Sequence, residues 1–336
     1  MRLKRTVVIS FLLVTLSLVL VACQSPTQKK ITLAEVTRSV FYTPQYVALE
    51  KGFFEEEGLE IDLQTTWGGD KTMTALLSDH ADIALVGSET SIYVHSQDAT
   101  DPIINFAQLT QTDGTFLVAK EPFPDFTWDD LRDQVFLGQR KGGMPQMVGE
   151  HVLKKHGIDP HQDLKELIQH IDYANIPSSF VSGDAMFVQL FEPTASVFEQ
   201  EGKGHVIASF GEASGLIPYT VYMTKASKLE EDQDTFHRFT RAIYKAQKWV
   251  QETDATEIAK VVAPYFEDST EEILASSIQR YKEQASFALD PILTREAWDN
   301  LLEIMEEAGE LSGPAPYDEL VNTDIAKQVI EEIDSE

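Results

Sequence analysis

The chain has 336 residues, 43% of them hydrophobic, with 27 Lys and Arg against 55 Asp and Glu, and a formal charge of −28. At about 150 residues per domain, this length suggests two domains with room for sizeable cores, and the hydrophobic share argues against global disorder. The acidic balance argues against a nucleic-acid partner, which needs basic stripes, and the single cysteine excludes an intrachain disulfide.

The first 23 residues account for that cysteine. Arg2, Lys4 and Arg5 precede an apolar run from Val7 to Val21, as in a secretory signal. The run is short for a membrane span, which needs about 20 apolar residues. Leu20-Val21-Ala22-Cys23 resembles a bacterial lipobox. That likeness implies removal of residues 1–22, acylation of Cys23, and a polar tether over 23–30. The alternative is an uncleaved anchor or an incidental thiol. On the lipobox reading the mature protein sits on the extracytoplasmic face of the cell membrane, held by its lipid.

From residue 30 onward, short apolar runs alternate with helical stretches. Ile31–Val36 alternates with period two and reads as a strand. Thr43-Pro44 opens a helix whose stripe is Tyr46, Val47, Leu49, Phe53 and Phe54, ended by Gly58. Leu59–Leu63 reads as a strand, Thr72–Leu77 as helix, Asp82–Val86 as a buried strand, and Ser88–Val94 as a capped helix. Ile103–Leu109 and Thr115–Ala119 are further strands. Beyond Glu121 come a short helix at Thr127–Leu131, a strand at Val135–Leu137, and a glycine-rich loop before the helix Pro145–His156. Phe180–Phe191 alternates around Gly183-Asp184, His205–Phe210 is a strand, and Thr220–Met223 is a candidate return strand. Most of 228–333 is helical. Such βα units predict an α/β fold with ligands beyond the carboxyl ends of strands. The loops to watch are therefore Thr37–Pro44, Trp67–Lys71 and Gly87–Thr90.

The run Tyr46-Val47-Ala48-Leu49-Glu50-Lys51-Gly52-Phe53-Phe54-Glu55-Glu56-Glu57-Gly58-Leu59 resembles a helix of lipid-anchored substrate-binding proteins of ABC importers. The branch is that for nitrate, aliphatic sulfonates, taurine and thiamine-precursor pyrimidines. Ala81-Asp82-Ile83-Ala84, Gly183-Asp184-Ala185 and Phe191-Glu192-Pro193 are similar to further motifs of the family, with one spacing shortened. The resemblance implies a type II periplasmic-binding-protein-like fold, two α/β lobes joined by two crossings. Lobe one would comprise 31–118 plus 223–336, and lobe two 119–222. It also implies a small-molecule ligand, a permease with its ATPase as partners, a monomer, no cofactor and no catalysis. The rivals are an enzyme related to thiamine-pyrimidine synthases, whose cysteine-rich motif is missing here, and a lipid-anchored sensor that does not transport.

The candidate ligand contacts come from the loops. Arg140-Lys141-Gly142-Gly143-Met144 precedes a helix and offers backbone amides to an anion, or is an ordinary glycine turn. Phe41, Tyr42 and Trp67 stack on a flat ligand or pack between lobes, and Tyr219, just before the return strand, is a further candidate contact. Arg38 offers a fork to a sulfonate or sits in solvent. Glu89, Asp113 and Glu192 are acceptors for an amine or aminopyrimidine, against a background of solvated acids. Ser88 and Thr90 donate to ligand or cap a helix. The eight histidines are scattered with no HExxH, so no metal site is expected.

Overall fold

The computed structural model describes residues 28–336, so the signal segment and the Cys23 lipobox lie outside the described residues. Among the described residues, no helix is long and apolar enough to cross a membrane. Two five-stranded sheets organise the fold. The first has the order β2 (Leu59–Thr65), β1 (Lys29–Glu35), β3 (Ile83–Gly87), β10 (Thr220–Lys225), β4 (Ile103–Thr110). The second has the order β7 (Glu166–Ile168), β6 (Val135–Leu137), β8 (Phe187–Phe191), β5 (Thr115–Ala119), β9 (His205–Ser209).

Within the first sheet β1 pairs in parallel with β2 and β3, so the loops leaving all three gather on one edge. In the second, β6 is parallel to β7 and β8, which gathers their exit loops likewise. The strand next to each crossing is antiparallel: β10 lies between β3 and β4, and β5 between β8 and β9. The chain thus passes from the first sheet to the second at 111–114 and returns at 210–219. The crossings fall several residues from the expected 118/119 and 222/223 boundaries. Thr115–Ala119 belongs with the second sheet and Thr220–Lys225 with the first. A buried apolar strand looks the same from either sheet, so its local pattern does not name its partner.

Three elements differ from the sequence reading for local reasons. The expected helix from Thr43 is two, Thr43–Glu50 and Phe53–Glu56, because Gly52 adopts φ +73° between them. The alternation at Phe180–Phe191 hides the end of the helix Ile176–Ser182, with proline in its first turn, before β8. Phe210 starts a short helix rather than closing β9, because the Ser209 hydroxyl accepts from the Glu212 amide. The short strand β7 had no apolar run to mark it.

The C-terminal helices pack on the first sheet and across the crossings. Gln233–Glu252 lays Phe239 against Tyr222 at 4.9 Å, Phe54 at 5.0 Å and Phe106 at 6.0 Å. Each fully buried phenyl ring contributes about 1.5–3 kcal/mol. The same helix holds Glu57 of the acidic run with Arg241 at 3.1 Å and Lys245 at 2.6 Å, so that carboxylate is paired rather than solvated. The next long helix, Glu271–Glu283, straddles the crossings. The Tyr281 hydroxyl donates to the Gly114 carbonyl at 3.0 Å and accepts from the Glu192 amide at 3.1 Å. Just past the helix, Gln284 donates to the Asp113 carbonyl at 2.7 Å and accepts from the Ser209 hydroxyl at 2.6 Å. The two crossings themselves touch: a Cβ at Gly211 would fall 2.3 Å from the Asp113 oxygen.

Candidate ligand-binding site

The exit loops of the two sheets face each other beside the crossings, and aromatic rings line their meeting. Phe41 lies 5.4 Å edge-on to Tyr219, 5.1 Å from Tyr281 and 6.0 Å from Phe191 of the second sheet. It is buried, and Gly114 makes room for it, since a Cβ there would come 2.7 Å from the ring. Tyr42 is buried beside it, its phenol held well above the usual range by burial and by nearby Glu35 and Glu89. Tyr173, from the second lobe, lies 6.0 Å from Phe191. Trp67 stands at the same edge of lobe one with 67% of its surface exposed, in the left-handed region at φ +61°. For a bulky residue that conformation costs about 1–3 kcal/mol, and such strain gathers at functional sites.

Three buried polar atoms in this place lack a hydrogen-bonding partner: Glu89 Oε2, Asp113 Oδ2 and the Tyr219 hydroxyl. Glu89 opens the helix Glu89–His95, and its carboxyl folds back over Gly87, where a Cβ would lie 2.1 Å from Oε2. Burial lifts its pKa to about 7, offset only in part by its own backbone and that of Met144 from the opposite lobe. Asp113 lies in the first crossing. Its Oδ1 accepts from the Thr115 amide at 2.7 Å and from the Thr115 hydroxyl, while burial raises its pKa to about 6. The Tyr219 hydroxyl faces the Asp113 carboxyl, and burial together with that neighbour pushes its pKa well up. Leaving a buried polar group unpaired costs about 1–3 kcal/mol; Asp113 and Tyr219 lie against each other, which leaves Glu89 Oε2 as the atom with no side chain to pair with.

Other predicted residues are already engaged. Arg38 pairs with Glu35 at 3.3 Å, donates to Thr65 at 3.1 Å, and lies over the Tyr46 and Tyr265 rings at 5.5 and 5.2 Å. Its guanidinium balances the fully buried Glu35, which also accepts from Gln45 at 2.8 Å and Tyr46 at 2.9 Å. Glu192 is buried but satisfied, by Arg280 at 2.6 Å, the Ser196 amide at 2.9 Å and the Ser196 hydroxyl at 3.0 Å. The Ser88 hydroxyl donates to the Pro218 carbonyl and Thr90 to the Gly87 carbonyl at 2.7 Å, so both serve the loop.

The glycine-rich loop is also committed. Lys141 N–H donates to the Gln169 carbonyl at 3.2 Å and Gly142 N–H to Gln146 Oε1 at 2.9 Å. The side chains of Arg140 and Lys141 are exposed, with Arg140 3.8 Å from Asp172. Met144 is buried and Gly143 precedes its helix, while the Tyr93 hydroxyl of lobe one reaches the Gly142 carbonyl at 3.5 Å. The residues that sequence reasoning missed are Tyr173, Tyr281 and Arg280. Tyr281 and Arg280 fall on a helix whose stripe reads as ordinary core, with nothing local to mark it as spanning two lobes.

Two mixed α/β sheets joined by two crossings, with aromatic rings where they meet, define a two-lobed α/β protein with a cleft between its lobes. The chain belongs to the NMT1-like family, which it matches over residues 24–263. It is 58% identical over 314 residues to YtlA of Bacillus subtilis (strain 168), a protein named provisionally as a binding protein, covering 93% of this chain and 94% of that one. Among solved structures it resembles the periplasmic nitrate-binding protein NrtA from Synechocystis PCC 6803, with 15% identity and a TM-score of 0.71 over 93% of this chain and 91% of that one. The alkanesulfonate-binding protein SsuA from Xanthomonas axonopodis pv. citri, bound to MOPS, is similar with 13% identity and a TM-score of 0.69, over 89% and 100% of the two chains. At these identities the likeness establishes the fold, that of periplasmic binding proteins.

Proposed function

We propose that this chain is the extracytoplasmic solute receptor of an ABC importer, held to the membrane by a lipid on Cys23. It captures a small molecule between its lobes and delivers it to a permease and its ATPase. The ligand is a small sulfonate or taurine-like anion, or an aminopyrimidine related to thiamine. The lobes divide near the two crossings, and ligand contacts that exist only with the lobes together favour the closed state. The receptor does no chemistry on its ligand.

The observation that carries this reading is the set of buried polar groups beside aromatic rings where the lobes meet, Glu89 Oε2 without a partner and Asp113 facing Tyr219. The 58% identity to a protein named as a binding protein supports it. The test is thermal unfolding of the full chain in detergent against sulfonates, nitrate, taurine and aminopyrimidines. A true ligand at 100 times its dissociation constant stabilises by about 2.7 kcal/mol. Silence across the whole panel refutes the receptor reading.

A further inference from the structure

The lobes also meet along the helix Met144–Lys155 of lobe two. Tyr93, on the helix Glu89–His95 of lobe one, reaches the Gly142 carbonyl at 3.5 Å and lies 3.9 Å from Met147 Sδ. Glu89 stands four residues before Tyr93 on the same helix face, and is therefore turned to the same junction. Further along Met144–Lys155, His151 Nδ1 lies 2.8 Å from Glu307 Oε2, and Lys154 donates to the Glu307 carbonyl at 2.7 Å. Glu307 ends the helix Arg295–Glu307, which is tied to lobe one. Its Trp298 donates to the Ala315 carbonyl at 3.1 Å, and Asn105 of β4 donates to the Leu320 carbonyl at 2.8 Å. One helix of lobe two is thus held at two points.

Each point carries a titratable group. Glu89 is 6% exposed, and its Oε2 has no partner. The carboxyl is fixed in that seat, since a Cβ at Gly87 would lie 2.1 Å from Oε2. The groups near it bring no positive charge: Tyr42, Tyr93 and Tyr219 are phenols that burial holds well above their usual range. An ionised Glu89 therefore opposes the contact that buries it. His151 is buried and faces Glu307. On its own helix, Lys154 and Lys155 are engaged with the Glu307 and Ala213 carbonyls, and Glu150 lies 3.4 Å from His161 inside lobe two. The helices packed against it add Glu212, Glu303 and Glu306, all exposed. A proton on His151 turns its contact with Glu307 into an ion pair.

We infer that this junction is a proton-operated latch: protonated Glu89 and His151 hold the lobes together, and loss of both protons frees the helix Met144–Lys155 from lobe one. The two groups act in the same direction. Burial raises the Glu89 pKa, so closure takes up a proton wherever the open protein would have lost it, between 4.5 and about 7. The contact is fully present below that interval and weakens as pH climbs through it. A deprotonated His151 gives up the attraction of Glu307 on the same rise. In an extracytoplasmic receptor, the pH outside the cell would set how readily the lobes part. That consequence rests on the receptor reading above, whereas the latch concerns the two lobes alone.

Peroxide oxidation of methionine, mapped by mass spectrometry on the full chain in detergent at about pH 5 and about pH 8, tests this. A thioether has no titrating proton, so the probe itself does not follow pH. Met144 and Met147, 2% and 0% exposed, lie at the junction, Met186 is half-buried in lobe two, and Met223 is buried in the first sheet. Each pKa unit of difference between the open and closed states is a factor of about ten in their ratio. Met147 should therefore oxidise about tenfold or more faster at the higher pH, relative to Met186, with Met223 protected at both. Glu89→Gln, which mimics the protonated acid, should slow Met147 at about pH 8. His151→Gln, which cannot charge, should speed it at about pH 5, as should Glu307→Gln, and the double variant of Glu89 and His151 should bring the pH ratio close to one. Equal wild-type rates at Met144 and Met147 at the two pH values overturn the inference, as does a pH ratio unchanged in the double variant. A rise at Met223 as large as that at Met147 overturns it too, because the whole chain would then be loosening. The thermal panel against candidate ligands is untouched by any of these outcomes and decides the receptor reading separately.

Discussion

A buried carboxyl without a counter-ion should make the ligand-free protein less stable as pH rises. Burial raises the Glu89 pKa from 4.5 to about 7. At about 1.4 kcal/mol per pKa unit, ionising it in the folded chain costs about 3 kcal/mol. The folded chain keeps a proton that the unfolded chain loses once pH passes 4.5. Stability therefore falls as pH climbs from 4.5 toward about 7, then levels off. Glu89→Gln keeps the shape and removes the titration. Urea unfolding of both proteins at about pH 5 and about pH 8 should show the variant gaining about 2.5 kcal/mol relative to wild type across that interval. Asp113 and Glu35, whose pKa values are also raised by burial, act in the same direction, while His156, lowered by burial, acts in the opposite one. All three are shared by the two proteins and cancel in the comparison. A difference between variant and wild type that does not change with pH would refute the reasoning.

Arg280→Ala strands Glu192 without its cation and should cost about 3–5 kcal/mol in denaturant unfolding, with Glu192→Gln in the same chain returning part of the loss. Gly211→Ala drives a Cβ to 2.3 Å from the Asp113 carbonyl oxygen. It should cost about 1–3 kcal/mol by calorimetry, whereas Gly313→Ala, where nothing lies within 4 Å, should leave stability nearly unchanged. Phe41→Ala removes the ring shared by both lobes and should lower stability by about 3–5 kcal/mol, read as a fall in the urea midpoint. Cys23→Ala should leave the signal uncleaved or release the protein from the membrane fraction; unchanged processing and retention would refute lipid anchoring.

Local chemistry made the strands of the first sheet legible. Ile83–Gly87 and Ile103–Thr110 are apolar runs between turn residues, and their period needs no knowledge of the rest of the chain. Phe41, Glu89 and Asp113 were legible as candidates because they occupy loops at the ends of strands. Arg38 and Glu192 look equally good by that criterion, yet both carry partners within the chain. The partner that decides for Glu192 is Arg280, 88 residues away on a helix of the other lobe. For Arg38 the decision rests on Glu35, whose burial depends on Tyr46, Thr65 and Tyr265 arriving from three different elements. Position in a loop is written in the sequence, whereas pairing across the fold is not. The same gap explains the displaced lobe boundaries, since strand partners, like ion partners, are chosen at long range.

An excess of 28 negative charges says little about the ligand, because nearly all those carboxylates are solvated. Burial is what makes an acid informative. Among the described residues five carboxyls are buried: Glu35, Glu89, Asp113, Glu150 and Glu192. Glu35 has Arg38, Glu192 has Arg280, and Glu150 accepts from Gln146 at 2.6 Å and Gln169 at 2.9 Å with His161 at 3.4 Å. Each of those three carries the expense of desolvation against partners within the chain, so each is explained by folding alone. Asp113 has no cation, but the Thr115 amide and hydroxyl hold one of its oxygens and the Tyr219 hydroxyl faces the carboxyl, so folding supplies its partners too. Glu89 is the exception: its Oε2 is buried where the two lobes meet with no side chain to pair with, which is why its protonation carries the pH dependence worked out above.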